Sequence, residues 1–372
     1  MNAPLPFDRG WRRWTVGITG MNAIPDNPGP GLAVARCLRA AGFDGRIVGL
    51  GYEPLDAGLY HGGLCDAAYL MPYPAVGAEA QRARLGEIQL AERLDFVIPC
   101  LDAELTTFVD NQAALRAMGI GSLLPDRRQL AARAKDNLVA LCERLGLPVP
   151  RTKVATNPAF FDTCESDGWR FPLVVKGPYY DAAVARDPAE ASRAFARIAA
   201  QWGYPVLVQE FVRGYEVNLT AIGDGDGGMI APVMMRKRAL TDKGKAWAGV
   251  AISDPELEAL AAKLIEGLRW RGPLEVEAMR SDEGLYLIEI NPRFPAWTYL
   301  THGVGRNLPE ALLRLAAGER LAEPVPPAPG VMFIRYAEEL IVSPDSFRLI
   351  MVDGALNAAP AAAPSRPSRM FG

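Results

Sequence analysis

Five polar residues on two neighbouring segments carry the clearest chemical pattern in the sequence. Glu275 and Glu277 are separated by one residue, and Glu289, Asn291 and Arg293 follow with the same spacing. Side chains two positions apart on a β-strand lie on one face, so a hairpin of the two segments can bring both sets together. Carboxylates packed this closely repel each other, whereas Mg²⁺ accepts carboxylate and amide oxygens as ligands. The pattern predicts a metal site with an arginine for a phosphoryl group, and a solvated hairpin with salt bridges is the alternative.

Lysine is scarce in this chain, so the positions at which it occurs are informative. Seven of the 40 basic residues are lysines, and the others are arginines. Lys176 ends a predicted apolar strand next to a glycine, where its ammonium group can reach a nucleotide phosphate. Lys237, Lys243 and Lys245 form a basic loop with Arg236, and we take Lys245 and Arg236 as catalytic candidates beside a phosphate. A solvated strand end and a solvated loop are the alternatives.

Polar residues near the N-terminus follow predicted strands and are candidates for substrate contacts. The loop over 17–31 contains Asn22 and three prolines, which makes it a poor match to a dinucleotide-binding glycine turn, and a structural Gly/Pro turn is the alternative to a substrate contact. Asp102 and Glu104 follow a predicted strand over 96–99, whose end points to the ligand crevice of a parallel sheet. The two carboxylates bind a substrate amine or, alternatively, cap the following helix.

Aromatic residues directly follow the arginine of the hairpin. Trp297 and Tyr299 come four and six positions after Arg293. They either form a wall of the substrate pocket or pack in the core, which is the more common role of aromatic side chains.

The composition excludes several classes of protein. The chain has 372 residues, of which 49% are hydrophobic and 22% charged, and its net charge of −3 provides no basic surface for nucleic acid. Two histidines and five scattered cysteines do not supply a zinc site. The sequence contains no apolar run long enough to span a membrane, and its N-terminus lacks the apolar core of a signal peptide. We therefore expect a cytoplasmic protein that binds neither nucleic acid nor membranes.

Strands and helices alternate along the first third of the chain, which predicts a parallel sheet with crossover helices. A helix over 127–145 and a second α/β region follow, and after residue 217 the strands follow each other directly. We therefore predict an α/β fold that becomes α+β in its C-terminal part. From residue 355 the composition is rich in Ala, Pro and Ser, which is typical of a disordered tail. The main predicted strands are 14–19, 46–50, 68–70, 96–99, 173–176, 206–211, 274–280 and 285–290, and the main predicted helices are 32–41, 81–92, 111–118, 188–202, 255–268 and 308–317.

The order of the candidate residues resembles that of the ATP-grasp superfamily, in particular its carbamoyl phosphate synthetase and biotin carboxylase type. The resemblance covers roughly residues 14 to 320, and its most specific part is Tyr-Leu-Ile-Glu-Ile-Asn-Pro-Arg over 286–293. It implies an ATP-grasp fold with a Rossmann-like N-terminal domain, a small lid domain that closes on ATP and a C-terminal metal-binding domain. The implied parts are an N-terminal domain at 1–125, an ATP-grasp domain at 126–320 with its lid at about 150–212, an extension at 321–354 and a disordered tail at 355–372.

The resemblance also implies a role for each matching residue. Arg293 would contact the transferring phosphate, and Glu275 remains an alternative to Glu277 as a metal ligand. The other implied contacts are ATP phosphates with Lys135 and Lys176, adenine with Glu210, Phe211 and Val212, ribose with Glu216, and Mg²⁺ or Mn²⁺ with Glu277, Glu289 and Asn291.

The function implied by the resemblance is ATP-dependent ligation. MgATP would phosphorylate a substrate carboxylate to an acyl phosphate, and an amine would then displace the phosphate to give an amide. The substrates would be amino acids or peptides, and the protein is a possible homodimer. Two alternatives remain open at this point: an enzyme that passes its acyl phosphate to a different acceptor, and a regulatory ATP-binding protein without turnover.

Overall fold

The computed structural model describes residues 10–177, 181–321 and 326–357, which form three β-sheets with helices packed against them. The first sheet comprises β1 (Thr15–Ile18), β2 (Arg46–Gly51), β3 (Ala67–Leu70) and β4 (Phe96–Ile98), with helices α1 (Gly31–Ala40), α2 (Ala78–Glu92) and α3 (Asp102–Ala117). These strands run parallel in the order β3–β2–β1–β4. β1 and β4 are buried on both faces, which explains their uninterrupted apolar sequences. The carboxyl ends of β1 and β4 lead into the segments that carry Asn22 and Asp102.

The helix predicted over 127–145 is broken into two. α4 (Arg127–Ala132) and α5 (Leu138–Leu145) are separated by a short turn. The side-chain amide of Asn137 donates to a carbonyl oxygen in the last turn of α4 at 3.0 Å, and this bond competes with continuation of the helix. Lys135 therefore lies in the turn between two helices instead of on a helix surface.

The second sheet is antiparallel and spans residues 152–210. It comprises β5 (Thr152–Ala155), β6 (Leu173–Lys176), β7 (Ala182–Ala185) and β8 (Val206–Glu210) in the order β5–β8–β6–β7, with helices α6 (Phe160–Thr163) and α7 (Pro188–Trp202). The bounds of β6 and α7 are those that the sequence predicts. Ala191, Phe195 and Ile198 are buried on one side of α7 and pack against the sheet.

The third sheet is also antiparallel and is the largest. Its strands are β9 (Tyr215–Asp224), β10 (Met229–Leu240), β11 (Ala246–Ile252), β12 (Arg271–Arg280), β13 (Leu285–Asn291) and β14 (Met332–Ile334), and its order is β13–β12–β9–β10–β11–β14. Helices α8 (Pro255–Leu268), α9 (Tyr299–Gly303) and α10 (Leu308–Ala316) belong to the same region. α8 begins where the sequence predicts, because Asp254 caps it by accepting from the backbone of Leu257 at 3.1 Å.

The two faces of the third sheet differ in chemistry. One face carries apolar residues such as Leu219, Val276 and Ile290, which pack against α5 and α8. On β13, Leu285 and Leu287 lie on this apolar face, and strict alternation would also place Glu289 and Asn291 there. A β-bulge prevents this, because Glu277 pairs with Glu289 while its neighbour Ala278 pairs with Leu287. The extra residue, Ile288, shifts the alternation and turns the last part of β13 towards the polar face.

The C-terminal segment connects two of the sheets. β14 pairs with β11 of the third sheet, and helix α11 (Pro344–Asp353) buries Ile350 in the core of the first. Ala355–Asn357 forms a further strand, β15, antiparallel to β3. The prediction of disorder from residue 355 is therefore wrong for these three residues, since their backbone pairs with an existing sheet edge; the rest of that tail, 358–372, lies outside the described residues. Among the described residues, no helix combines the length and apolar character required to cross a membrane.

Candidate active site

The carboxylates of the hairpin meet on the polar face of the third sheet. Glu275 on β12 pairs with Asn291 on β13, and Glu277 pairs with Glu289. On the other side of β12, Asn218 of β9 pairs with Glu277. Directly paired side chains on one face of an antiparallel sheet are close neighbours, so three strands present a continuous row of oxygen and amide groups.

Glu275 is the buried centre of this row. Its Oε1 accepts from the indole nitrogen of Trp297 at 2.6 Å and from Nδ2 of Asn218 at 3.2 Å. Its Oε2 accepts from Nδ2 of Asn291 at 3.2 Å and from Nη1 of Arg293 at 3.3 Å. These four donors occupy both oxygens of Glu275 and are held in place by them. Glu275 therefore has no free oxygen for a cation, and Glu277 is favoured over it as the metal ligand. Trp297 is buried and donates its indole N–H to Glu275. The prediction that it contacts the substrate is therefore not supported, and its contact supports the carboxylate of Glu275.

Glu277 forms a charged cluster with two residues of the neighbouring strands. Nζ of Lys237 contacts Oε1 of Glu216 and lies 3.7 Å from Oε2 of Glu277. Burial and the nearby Glu277 raise the pKa of Glu216, whereas Lys237 holds the pKa of Glu277 below its usual range despite burial. Glu216, which the resemblance assigns to ribose, therefore lies beside the predicted metal ligands in this structure.

Lys237 is a site residue that the sequence reasoning named in the basic loop but did not select. Strand alternation decides between it and its neighbour Arg236. Arg236 pairs with Val217, a core residue of the apolar face, and its guanidinium group lies 3.7 Å from the centre of the Tyr215 ring. The prediction of Arg236 as a catalytic residue is therefore not supported, since it belongs to the opposite face and Lys237 occupies the polar one. Predicting which residues of β9 and β10 pair would have shown that Lys237, and not Arg236, lies on the polar face.

Lys245 lies at the turn between β10 and β11. Its charge contributes to lowering the pKa of both Asp102 and Glu277, which indicates that its ammonium group faces the polar row. The turn is fastened to the N-terminal glycine loop, because Oγ1 of Thr241 donates to the carbonyl oxygen of Asp26 at 3.0 Å. The role of Lys245 beside a phosphate remains a prediction.

Lys135 and Lys176, which are predicted to contact phosphates, line a narrow cleft between the second and third sheets. Nζ of Lys135 lies 3.3 Å from Oε1 of Glu289, and Nζ of Lys176 donates to Oε1 of Gln209 at 2.6 Å. The cleft thus has two ammonium groups at one end of the polar row and apolar side chains around them, which are the types of group that contact the phosphates and the base of a nucleotide. The apolar residues lining the cleft are Leu138, Val139, Val149, Leu207 and Ile288.

The predicted adenine contacts lie at the end of β8. Glu210 follows Gln209, which lines the cleft, and the backbone N–H of Glu210 donates to the carbonyl oxygen of Arg151 at 2.9 Å. Phe211 is exposed and Val212 is half-buried. Contacts of these residues with adenine remain a prediction.

Two of the N-terminal candidates have structural partners. Oδ1 of Asn22 accepts from the backbone N–H of Gly29 at 2.9 Å and so closes its own loop. Glu104 is fully buried and accepts from the hydroxyls of Thr19 and Tyr52. Its Oε1 also accepts from two backbone N–H groups at the start of α3, so the capping alternative holds for Glu104. Burial raises the pKa of this carboxyl even though four donors surround it.

Asp102 is ion-paired instead of open to a substrate amine. Its Oδ2 accepts from Nε of Arg293 at 2.8 Å, and its Oδ1 lies 3.5 Å from Nη1 of Arg133. Although burial opposes it, the two guanidinium groups hold the pKa of Asp102 below its usual range. The prediction of Asp102 as an amine ligand is therefore not supported, because two arginines already neutralise it.

Comparison with known proteins places this arrangement in a known fold. A family model described as ATP-grasp in the biosynthetic pathway with Ter operon matches residues 204–339. The biotin carboxylase domain of Hydrogenobacter thermophilus 2-oxoglutarate carboxylase, in complex with MgADP, ADP and bicarbonate, is 16% identical with a TM-score of 0.62, and the match covers 83% of this chain and 71% of that chain. The chain has the ATP-grasp fold.

Two further ATP-grasp structures support the same assignment. N5-carboxyaminoimidazole ribonucleotide synthetase from Thermus thermophilus is 20% identical with a TM-score of 0.62, and the match covers 85% of this chain and 81% of that chain. L-amino acid ligase from Bacillus licheniformis is 15% identical with a TM-score of 0.60, covering 82% and 74%. At these identities the likeness is one of fold, and it confirms the predicted α/β ATP-grasp architecture.

The donor atoms of the ATP-grasp domain fit a hard divalent cation in type. Glu277, Glu289 and Asn291 present oxygens on one face, and carboxylate and amide oxygens are the ligands that Mg²⁺ prefers. As oriented, Asn291 donates through Nδ2 to Glu277 at 2.8 Å, so it binds a cation only after its amide turns. Within the described residues, no group of three His, Cys, Asp or Glu side chains is placed to hold a metal ion, so binding of a cation by this row remains a prediction.

Nucleotide affinity of the ATP-grasp cleft should depend on pH through Lys176. Burial lowers the pKa of Lys176 from its ordinary value to about 8, and phosphate binds the protonated form. MgADP affinity should therefore be highest below pH 8 and weaken above it, approaching tenfold per pH unit. Titration calorimetry across this range measures the effect. Lys176→Arg should remove the dependence while exposed Lys153→Arg keeps it, and an equal pH profile for all three proteins would contradict the assignment.

Proposed function

We propose that this chain is an ATP-dependent ligase that activates a substrate carboxylate as an acyl phosphate and joins it to an amine. The observation that carries the proposal is the polar face, on which Glu277 pairs with Glu289 beside Arg293, with Lys135 and Lys176 at its end. Carboxylates for a cation and a guanidinium group thus share one polar face, and ammonium groups for phosphates line the cleft at its end. Phosphoryl transfer requires this combination.

In the first step a carboxylate oxygen of the substrate attacks the γ-phosphorus of ATP. An O–P bond forms, the bond from the γ-phosphorus to the bridging oxygen breaks, and ADP leaves with that electron pair. Lys135 and Lys176 hold the phosphates, and Arg293 offsets charge on the transferring group. Glu277, Glu289 and Asn291 would hold Mg²⁺ or Mn²⁺, which when bound supplies charge compensation to the phosphate oxygens.

In the second step the amine nitrogen attacks the carbonyl carbon of the acyl phosphate. A C–N bond forms, the C–O bond to phosphate breaks, inorganic phosphate leaves, and the amine proton passes to solvent. The sequence of bonds requires no nucleophile from the protein. This agrees with a polar face that contains carboxylates, amides and cations but no cysteine or histidine among its named residues.

The solved ATP-grasp structures support a small-molecule substrate. Their names include a ligase of L-amino acids and a synthetase of a carboxyamino ribonucleotide, and one of them contains MgADP with bicarbonate. We therefore propose ATP with Mg²⁺ as the cofactor pair of this chain. An amino acid or a peptide is the proposed carboxylate, and the amine is of the same class.

MgADP should raise the midpoint of thermal unfolding of this protein. A ligand that binds only the native state stabilises it by about 2.7 kcal/mol at 100 times its Kd. Lys176→Ala should lose this shift, because it removes a phosphate contact, whereas Lys263→Ala on α8 should retain it. Absence of a shift in the parent protein at millimolar MgADP would contradict nucleotide binding.

Turnover is tested by screening ADP release over pairs of amino acids and short peptides, with the product mass determined for each active pair. Loss of one water from the combined substrate masses identifies an amide. Formation of ADP with a product that lacks nitrogen from the amine would instead favour a different acceptor. Nucleotide binding without ADP release for any pair would favour a regulatory protein.

A further inference from the structure

Asp102 forms an ion pair with Arg293, whose guanidinium group lies on the polar face. Among the described residues, it is the only residue near the N-terminal sheet that forms an ion pair with this arginine. It is the first residue of α3 and follows the end of β4 after a short loop over 99–101. Its Oδ2 accepts from Nε of Arg293 at 2.8 Å. Its Oδ1 has no hydrogen bond to the described residues and lies 3.5 Å from Nη1 of Arg133.

The partners of Asp102 come from different parts of the chain. Arg293 follows β13, which carries Glu289, and Arg133 lies in the turn that also carries Lys135. One carboxylate therefore lies between the hairpin and the segment of the phosphate lysine. A change in its charge acts on both segments at once.

The hydrogen bonds of Arg293 show how Asp102 affects the orientation of the guanidinium group. Nε donates to Asp102, and Nη1 donates to Glu275 and to the carbonyl oxygen of Phe294, both at 3.3 Å. Two carboxylates at different edges of a planar guanidinium group fix its plane. Nη2 is left without a hydrogen bond to the described residues, and it is the nitrogen available to a phosphate.

We propose that Asp102 is a positioning residue that holds the guanidinium group of Arg293 in the orientation needed for phosphoryl transfer. The proposal rests on the proposed function. Asp102 acts through Arg293 and does not touch the substrate, since both of its oxygens face arginines. A second carboxylate of α3 provides the matched comparison, because Asp110 pairs with Arg127 at 2.5 Å on the exposed side of the same helix.

The test compares Asp102→Asn, Asp102→Glu and the control Asp110→Asn. Asp102→Asn should lower kcat about 10- to 100-fold, the range typical of residues that orient a catalytic group, while KM for ATP changes by about twofold or less. Asp102→Glu, which keeps the charge and guards against a folding failure, should recover part of kcat. Asp110→Asn should match the parent. In an Arg293→Lys background, Asp102→Asn should cause no further loss, because the residue through which it acts is already changed.

A second readout does not depend on turnover. The Nε–H of Arg293 should give an NMR signal with slowed hydrogen exchange, assigned by its loss in Arg293→Lys. Asp102→Asn should abolish this protection and Asp110→Asn should preserve it. Failure of the parent to form product, with this protection pattern intact, would count against the proposed function alone. Parent-like kcat and protection in Asp102→Asn, or a loss of kcat that adds fully to that of Arg293→Lys, would overturn the positioning role.

Discussion

A Glu289→Gln variant should lose more than about 100-fold in kcat while remaining folded. Glutamine keeps the size of the side chain but removes the negative charge that a cation needs, and a direct ligand matters more than the outer partners whose loss costs roughly 10- to 100-fold. The loss should appear mainly in kcat, because the missing interaction belongs to the transition state. The half-buried ion pair with Lys135 at 3.3 Å contributes about 1 kcal/mol or less to stability, so unfolding should change little.

The control for this prediction is Glu283→Gln, at the exposed turn of the same hairpin. It removes the same charge from the turn that joins the same two strands, away from the polar face. Steady-state ADP release and thermal unfolding measure both variants against the parent. Parent-like turnover in Glu289→Gln would show that the row of carboxylates is not catalytic.

An Arg293→Lys variant should also lose about 100-fold or more in kcat, with nucleotide binding retained. The guanidinium group of Arg293 contacts Asp102 at 2.8 Å and Glu275 at 3.3 Å, and it still has a nitrogen for phosphate. A lysine presents one compact ammonium group, which cannot keep both carboxylate contacts and reach a phosphate. The remaining positive charge still compensates the buried Glu275, so the protein should fold.

Arg280→Lys is the matched control for the arginine. Arg280 is on β12 of the same hairpin, but it pairs with Asp254 and Glu256 at the start of α8, on the apolar side of the sheet. Its substitution should leave ADP release unchanged. Equal activity of Arg293→Lys and the parent, once a substrate pair is known, would remove Arg293 from the mechanism.

The sequence predicted the architecture well where local physical chemistry decides it. Helix α8 follows from an aspartate cap, a proline in the first turn and an apolar stripe, all of which are local signals. The strands of the N-terminal sheet follow from short apolar runs bounded by turns. The break at Asn137 was missed, because a side chain that bonds to the preceding helix leaves no mark on the apolar period.

The candidate site was predicted in composition but not in arrangement. The ordered set of lysines, glutamates and Asn291 predicted that these residues share a site, and the structure brings Lys135, Lys176 and Glu289 to one cleft. For Asp102 the sequence left a substrate contact or a helix cap open, because it does not reveal that an arginine 191 positions later reaches this residue. Contacts over such separations depend on how the sheets pack.

What the sequence alone determined is the set of residue types and the local strands and helices that carry them. What only the tertiary structure decided is which face each side chain occupies and which partner neutralises it. Strict alternation along β13 would place Glu289 on the apolar face. The β-bulge at Ile288 turns it to the polar face instead. The register of β9 with β10 brings Lys237, and not Arg236, to the carboxylates. A strand has a side-chain period of two, so a shift of one residue reverses every face, and only the pairing of neighbouring strands determines that shift.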